Sequence, residues 1–264
     1  MLATLRARAL DADAGEPVLG DTFAKDLVSR IDYDWRKTSV TARNASAGAV
    51  RSMQFDNWAR QFLAQHHRAV VLHVGCGLDD RVFRLDPGPD VEWYDVDYPD
   101  VIALVEQLYP VREHYHPVAA SVTDPVWLSD IPADRPVLLI AEGLTYYLTR
   151  DDGIALLRRV VEHFPSGELH FDVCNWLGIK LQKINPVVRR SGSTLRWAVN
   201  EPNDILHAVP GVRLLDTVVV FETDAFKQLP SGVYRAFGRI MLTVPTLRKM
   251  SQLHRYAFCA RAET

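Results

Sequence analysis

The chain predicts an α/β fold, a mostly parallel sheet with helices packed on both of its faces. Two observations carry this. Short β-branched, apolar runs alternate with stretches of helical periodicity, the pattern of strand–helix–strand units. The runs at 69–74 and 136–141 are apolar almost without interruption, as strands covered on both faces must be.

Taken in order, the first forty residues are polar and mixed, with one helical stretch over 21–28. Phe23, Leu27 and Ile31 recur there at helical spacing, and Asp21 can cap the start. A second helix is expected from about Ala47 to Gln65, with Val50, Met53, Trp58, Phe62 and Leu63 on its apolar face. Residues 69–74 then read as a strand running into the turn Gly75-Cys76-Gly77. Residues 91–97 form a second strand and 99–108 a helix, with Val101, Leu104, Val105 and Leu108 on one side. A short third strand is placed at 115–119 despite Pro117. The clearest strand, 136–141, leads to a helix over 151–164 capped by Thr149 or Asp151. Strands at 168–173, 212–221 and 255–260 complete the set, and 175–200 reads as a helical insertion over the sheet.

The 264 residues suit one domain spanning 1–264, in which 1–66 forms an N-terminal helical cap. A net charge of −3 gives no electrostatic basis for binding nucleic acid. No apolar run approaches the ~20 residues that span a membrane, so no membrane association is expected. The basic start, Met1 to Arg8, lacks the apolar core of a signal peptide. Cys76, Cys174 and Cys259 are far apart and fit no paired metal or redox motif. They are expected as buried thiols in a cytoplasmic protein without a metal. Nothing in the sequence fixes an oligomeric state.

Ligands of an open parallel sheet bind beyond the carboxyl ends of its strands, where strand order reverses. Gly75 and Gly77 end the first strand, and a residue without Cβ lets a ligand approach the backbone. A dinucleotide fingerprint needs a third glycine, but Asp80 stands at that position, which disfavours a pyrophosphate. Asp97 ends the second strand, where a carboxylate can hold two ribose hydroxyls. A nucleoside without phosphates fits this pair, and S-adenosylmethionine is such a ligand. Its amino-acid tail needs a cation for the carboxylate, for which Arg51 is a candidate. Glu142, just after the clearest strand, could meet the amino group or the sulfonium.

Five blocks resemble the leucine carboxyl methyltransferase family, especially its polyketide O-methyltransferase branch. They are Arg51-Ser52-Met53-Gln54-Phe55-Asp56, Val74 to Arg81, Tyr94 to Ile102, Ser121 to Leu128 and Ala141 to Leu148. The resemblance implies a Rossmann-like class I methyltransferase fold, with a mostly parallel seven-stranded sheet and an antiparallel last strand. It implies S-adenosyl-L-methionine as cofactor, with Arg51 on the methionine carboxylate, Gly75 (with Cys76 and Gly77) along the cofactor, and Asp97 and Tyr98 at the ribose. Ser121 and Val122 would border the adenine, and Glu142 would lie near the methionine end. Tyr147 matches a tyrosine between cofactor and acceptor and is taken as the catalytic residue. Serine at 121 departs from the phosphatase-modifying members, which carry aspartate there. The family also has more sequence before the first helix, so a reduced lid is expected here.

An ionised carboxylate acceptor needs no base, whereas a phenol does. His73, His116 and His170 fall in or near strands, where core roles are commoner than catalytic ones. This tilts the reading toward carboxyl methylation of a small aromatic or polyketide-like acceptor. Tyr146, Asn175, Trp176, Arg196 and Trp197 are assigned to the acceptor site, and Lys180, Arg189 and Arg190 add positive charge beside it. Two other readings stand: a nicotinamide-dependent oxidoreductase, and a silent protein that keeps the cofactor site.

Overall fold

In the computed structural model, residues 1–42, 45–184, 188–189, 192–227, 229 and 232–259 are described. Seven strands form one sheet: β1 (Ala69–Val74), β2 (Val91–Asp97), β3 (Tyr115–Ala119), β4 (Val137–Ala141), β5 (Ser166–Cys174), β6 (Val212–Val219) and β7 (Ser251–Cys259). Their order is β3-β2-β1-β4-β5-β7-β6. The first five are mutually parallel, and β7 runs antiparallel between β5 and β6. Strand order reverses at β1, so β1 and β4 open the crevice in which such sheets bind ligands.

The helices are α1 (Leu2–Ala12), α2 (Thr22–Arg30), α3 (Ala45–Gln65), α4 (Arg81–Leu85), α5 (Pro99–Leu108) and α6 (Arg150–His163). They continue with α7 (Trp176–Lys180), α8 (Pro202–Ala208), α9 (Asp224–Lys227), α10 (Gly232–Thr243) and α11 (Pro245–Arg248). Every residue of β1 and β4 is buried. On one face Val70, Leu72 and Leu139 meet Leu156, Leu157 and Val160 of α6 and Ile205 of α8. On the other, Val71, Leu138 and Ile140 meet Phe55, Trp58 and Phe62 of α3. Thus α3, expected as part of a cap, is a layer of the core.

Helix α1 departs from expectation, because 2–12 reads as mixed and polar. Its apolar face is made of small and scattered residues, Leu2, Leu5 and Ala9 in one cluster with α2 and α5, and Ala7 against Gly48 of α3. The buried face also carries Arg8 and Asp11, which break the apolar periodicity. Asp11 accepts the backbone N–H groups of Val18, Leu19 and Gly20, at 3.1, 2.8 and 3.2 Å. Helices α8 and α10 and the start of β7 also escape the pattern. In β7 the buried polar residues Gln252 and His254 hide the strand. Its expected last residue, Ala260, lies outside the described residues.

The stretch 175–200 is helical only in part. It contains α7, a 3-10 turn over Leu181–Ile184, and chain without regular secondary structure over 193–200. The expected burial of all three thiols is corrected: Cys76 is buried, Cys174 half-buried and Cys259 exposed, because the last two sit at strand ends. Among the described residues no helix is long and apolar enough to cross a membrane, and no cluster of three or more His, Cys, Asp or Glu could hold a metal ion.

Candidate functional site

At the carboxyl ends of β1, β2 and β4 lies a cavity of about 600 Å³. The turn after β1 sets its floor. Gly75 and Gly77 have φ of 64° and 58°, a left-handed backbone that L side chains rarely adopt. A Cβ on Gly75 would stand 3.0 Å from Leu144, so glycine is also needed for the packing of the opposite wall. Gly77 N–H donates to Asp97 Oδ2 at 2.7 Å, and Tyr98 N–H donates to Asp97 Oδ1 at 2.8 Å. Each carboxylate oxygen thereby spends one lone pair and keeps another for a ligand, the arrangement two vicinal hydroxyls require.

The acid at the loop was expected at Asp80, but that side chain is buried against Arg8 and Arg84. Asp79 lines the cavity instead. Burial alone would raise its pKa, yet Arg8, Arg81 and Arg84 hold it well below the usual carboxylate range. Arg8 also donates to the carbonyl of Leu78 at 2.6 Å and to Asp21 at 2.8 Å, pinning α1 over the loop. Met1, Thr4 and Arg8 accordingly form part of the cavity wall. No local signal could reveal this contact, because Arg8 and Leu78 lie 70 positions apart.

Arg51, from α3, spans the far wall. Its Nε donates to Glu142 Oε1 at 2.9 Å, and its Nη1 donates to the Tyr146 hydroxyl at 3.1 Å and to Asp172 Oδ2 at 2.8 Å. Gly143, with φ of 73°, lets the guanidinium lie against the backbone; a Cβ there would be 3.3 Å from Nη2. Nη2 forms no bond among the described residues and is the atom available to a carboxylate ligand. Glu142 accepts from Arg51, Ser52 and Arg81. Burial opposes its ionisation, but Arg51 and Arg81 pull its pKa down to about 2. Asp172, absent from the sequence expectations, accepts Gly143 N–H at 2.8 Å as well as Arg51. Burial raises its pKa against the pull of Arg51.

Tyr147 lines the cavity, and burial pushes its phenol above the ordinary value, so the hydroxyl keeps its proton at neutral pH. Cys76, Tyr98, Val122, Glu142 and Arg196 line it too. Ala120 and Val122 are at the wall, whereas Ser121 bonds Thr123 Oγ1 at 2.8 Å and is not among the lining residues. Tyr146 supports Arg51 and, through its carbonyl, accepts Arg196 N–H at 2.7 Å. The remaining acceptor candidates lie elsewhere. Asn175 is buried as the cap of α7, accepting from Leu177 and Gly178 at 3.1 Å. Trp176 is exposed beneath the Lys180 ammonium. Trp197 packs into the core against Gly153 of α6.

The strand histidines are engaged. His73 Nδ1 lies 3.0 Å from Asp95 Oδ1 and Nε2 lies 3.4 Å from Arg81 Nη1. Arginine only donates, so Nε2 accepts and the proton sits on Nδ1. His116 bonds Glu92 and His170 bonds Glu168, each at 2.7 Å. A second cavity, about 720 Å³, flanks α3 beside β6. Glu16, Glu222 and Asp224 line it, with Glu222 paired to Arg248 and Asp224 to Lys227.

The sequence profile of the leucine carboxyl methyltransferase family matches residues 1–161. The tetracenomycin polyketide synthesis O-methyltransferase TcmP of Streptomyces glaucescens is 42% identical over 98% of this chain and 95% of its own length. The S-adenosyl-L-methionine-dependent methyltransferase dpfgK of Gibberella zeae is 35% identical over 83% and 81%. Among solved structures, one from Thermobifida fusca superposes with a TM-score of 0.61 at 16% identity, covering 96% of this chain and 94% of that one. The plantazolicin methyltransferase BamL, solved with S-adenosylhomocysteine, superposes at 0.54 and 12%, covering 98% of each chain.

Proposed function

From the premise that this chain belongs to the leucine carboxyl methyltransferase family, and is an S-adenosylmethionine-dependent O-methyltransferase, we propose that it methylates the carboxylate of a small aromatic or polyketide-like acceptor. The residues at the cavity fit the cofactor. Asp97 has two oxygens that would hold the ribose, Gly75 and Gly77 leave room beside the backbone, and Arg51, on the cavity wall, would hold the methionine carboxylate through Nη2. Cys76, Tyr98, Val122 and Glu142 complete the proposed cofactor set on the wall, and Ser121, bonded to Thr123 beside it, would border the adenine from outside the lining. When bound, S-adenosylmethionine supplies an electrophilic methyl group.

One observation favours a carboxylate over a phenol. The cavity offers a cation at Arg196 and a protonated hydroxyl at Tyr147, and its one histidine among the described residues, His73, is engaged with Asp95. Tyr147 orients the acceptor oxygen as a donor, and Arg196 attracts its charge. Neutralisation of two opposite charges in the transfer is assisted by a dry pocket, which α1 and the segment 193–197 help to cover. Tyr146, whose carbonyl accepts the N–H groups of Arg196 and Trp197, and Trp197, packed in the core, hold this segment in place. Asn175 and Trp176, at the start of α7, would act on the acceptor side from outside the cavity lining. The unpaired thiols suit a reducing cytoplasm.

A methyl-donor assay against paired aromatic acids and phenols tests the reading. Acids are expected to react with a kcat that is flat between about pH 6 and 9, since the acceptor carboxylate is already ionised there. Turnover of the phenols alone, rising with one ionisation, overturns it.

A further inference from the structure

Resting on the reading above, we propose that Asp172 is a positioning residue of the reaction. Its two oxygens tie the arginine that would grip the cofactor's tail to the turn that carries Tyr147. Strands β4 and β5 run parallel with Ala141 opposite Phe171, so Asp172 lies one step further on, as Glu142 does after β4. The residue is 1% exposed. A carboxylate so deeply placed is sustained by hydrogen bonds and a counter-charge, and Asp172 finds them in two different directions.

Oδ2 accepts Nη1 of Arg51 at 2.8 Å, and Oδ1 accepts Gly143 N–H at 2.8 Å. The Asp172 carbonyl takes the Thr145 hydroxyl, so β5 holds the turn 143–147 at two points. Within that turn Tyr147 N–H donates to the Leu144 carbonyl at 2.9 Å, and the Tyr146 carbonyl accepts Arg196 N–H at 2.7 Å. Both side chains that line the acceptor end, Tyr147 and Arg196, therefore trace back to β5 through Asp172. On the cofactor side Arg51 has two carboxylates, Glu142 and Asp172. Glu142 is shared with Ser52 of α3 and Arg81 of α4, whereas Asp172 is the one that also meets the turn.

Methyl transfer requires the sulfonium carbon and the acceptor oxygen to meet in line, and a displacement of about 1 Å can cost about a hundredfold in rate. A negative charge near Arg51 does not meet that requirement by itself; the spacing of the two Asp172 oxygens does. Asparagine keeps the shape but offers one oxygen to two donors, so its NH2 group faces either Gly143 N–H or Arg51. Glutamate keeps the charge but lengthens the link by one methylene, which shifts Arg51 relative to the turn.

The test uses the full chain and the variants D172N and D172E, each checked for the wild-type circular dichroism spectrum. Calorimetric titration compares S-adenosylhomocysteine with methylthioadenosine, which has the same nucleoside and no amino-acid tail. The preference for S-adenosylhomocysteine is expected to shrink about tenfold in both variants, while methylthioadenosine keeps its wild-type affinity. A general loosening of the fold would weaken both ligands alike. Total methyl transfer to 1-hydroxy-2-naphthoic acid at saturating S-adenosylmethionine should fall about a hundredfold in kcat. An unchanged preference in a folded variant, an equal loss for both ligands, or a wild-type kcat overturns the proposal. Wild-type behaviour of D172E in particular would reduce Asp172 to a counter-charge, and collapse of the fold in both variants would make it a structural residue. The titrations need no acceptor, and the rate counts methyl groups on either oxygen. The outcome is therefore read apart from carboxyl methylation, which the position of the methyl group tests.

Discussion

Replacing Asp97 by asparagine changes one atom type and asks whether the carboxylate holds the ribose. In the wild type both oxygens already accept a backbone N–H, from Gly77 at 2.7 Å and Tyr98 at 2.8 Å. An amide has one oxygen, so whichever rotamer it takes, its NH2 group faces a backbone donor and one N–H goes unanswered. Hydrogen bonds to a charged acceptor contribute about 1.5–3 kcal/mol each, and an orphaned buried donor costs about 1–3 kcal/mol. Losing one charged ribose contact and loosening the Gly77 turn together should weaken cofactor binding by about 3 kcal/mol, near a hundredfold in Kd. Calorimetric titration with S-adenosylhomocysteine measures this directly. Circular dichroism on the same sample shows that the fold persists. A Kd within threefold of wild type would refute the assignment of Asp97 to the ribose.

Three further outcomes follow from the geometry. In G153A the new Cβ would stand 2.0 Å from Trp197 Cζ3, so the indole must shift; overpacking of this kind costs about 1–3 kcal/mol and should lower Tm by several degrees in a melting curve. R196Q should raise the acceptor KM about tenfold while the Kd for S-adenosylhomocysteine stays put, because that side chain lines the cavity and is exposed. Acid should destabilise the protein through Glu142. Its folded pKa is depressed to about 2 from 4.5, so the stabilisation is present above pH 4.5 and is lost as pH falls toward 2. Urea midpoints between pH 5 and 3 should therefore fall less steeply in E142Q than in wild type.

The parts of this molecule legible in its sequence are those that obey one period. Strands β1 and β4 are apolar throughout, and the glycine turn with Asp97 lies within thirty positions, so local pattern suffices to place them. Arg51, Glu142 and Tyr147 are readable only because whole blocks resemble a family; no spacing rule links α3 to the end of β4. What escaped is held by long-range polar contacts. Helix α1 is fastened by Arg8 and Asp11, whose burial runs against every apolar template. Asp172 reads as one more strand residue until the fold sets it on Arg51. Trp197 looked like a flat surface for an aromatic acid, yet a glycine on α6 made room for it in the core. Aromatic residues satisfy either environment equally well in sequence, and only the partner across the chain decides.

The most direct measurement gives the enzyme an acceptor with both oxygen types, 1-hydroxy-2-naphthoic acid, together with S-adenosylmethionine. Mass spectrometry after mild alkali separates the two products, since an ester is hydrolysed and an aryl ether is not. An alkali-labile methyl ester is expected, formed without base assistance at the Tyr147 and Arg196 end of the cavity. An alkali-stable ether as the sole product would contradict it.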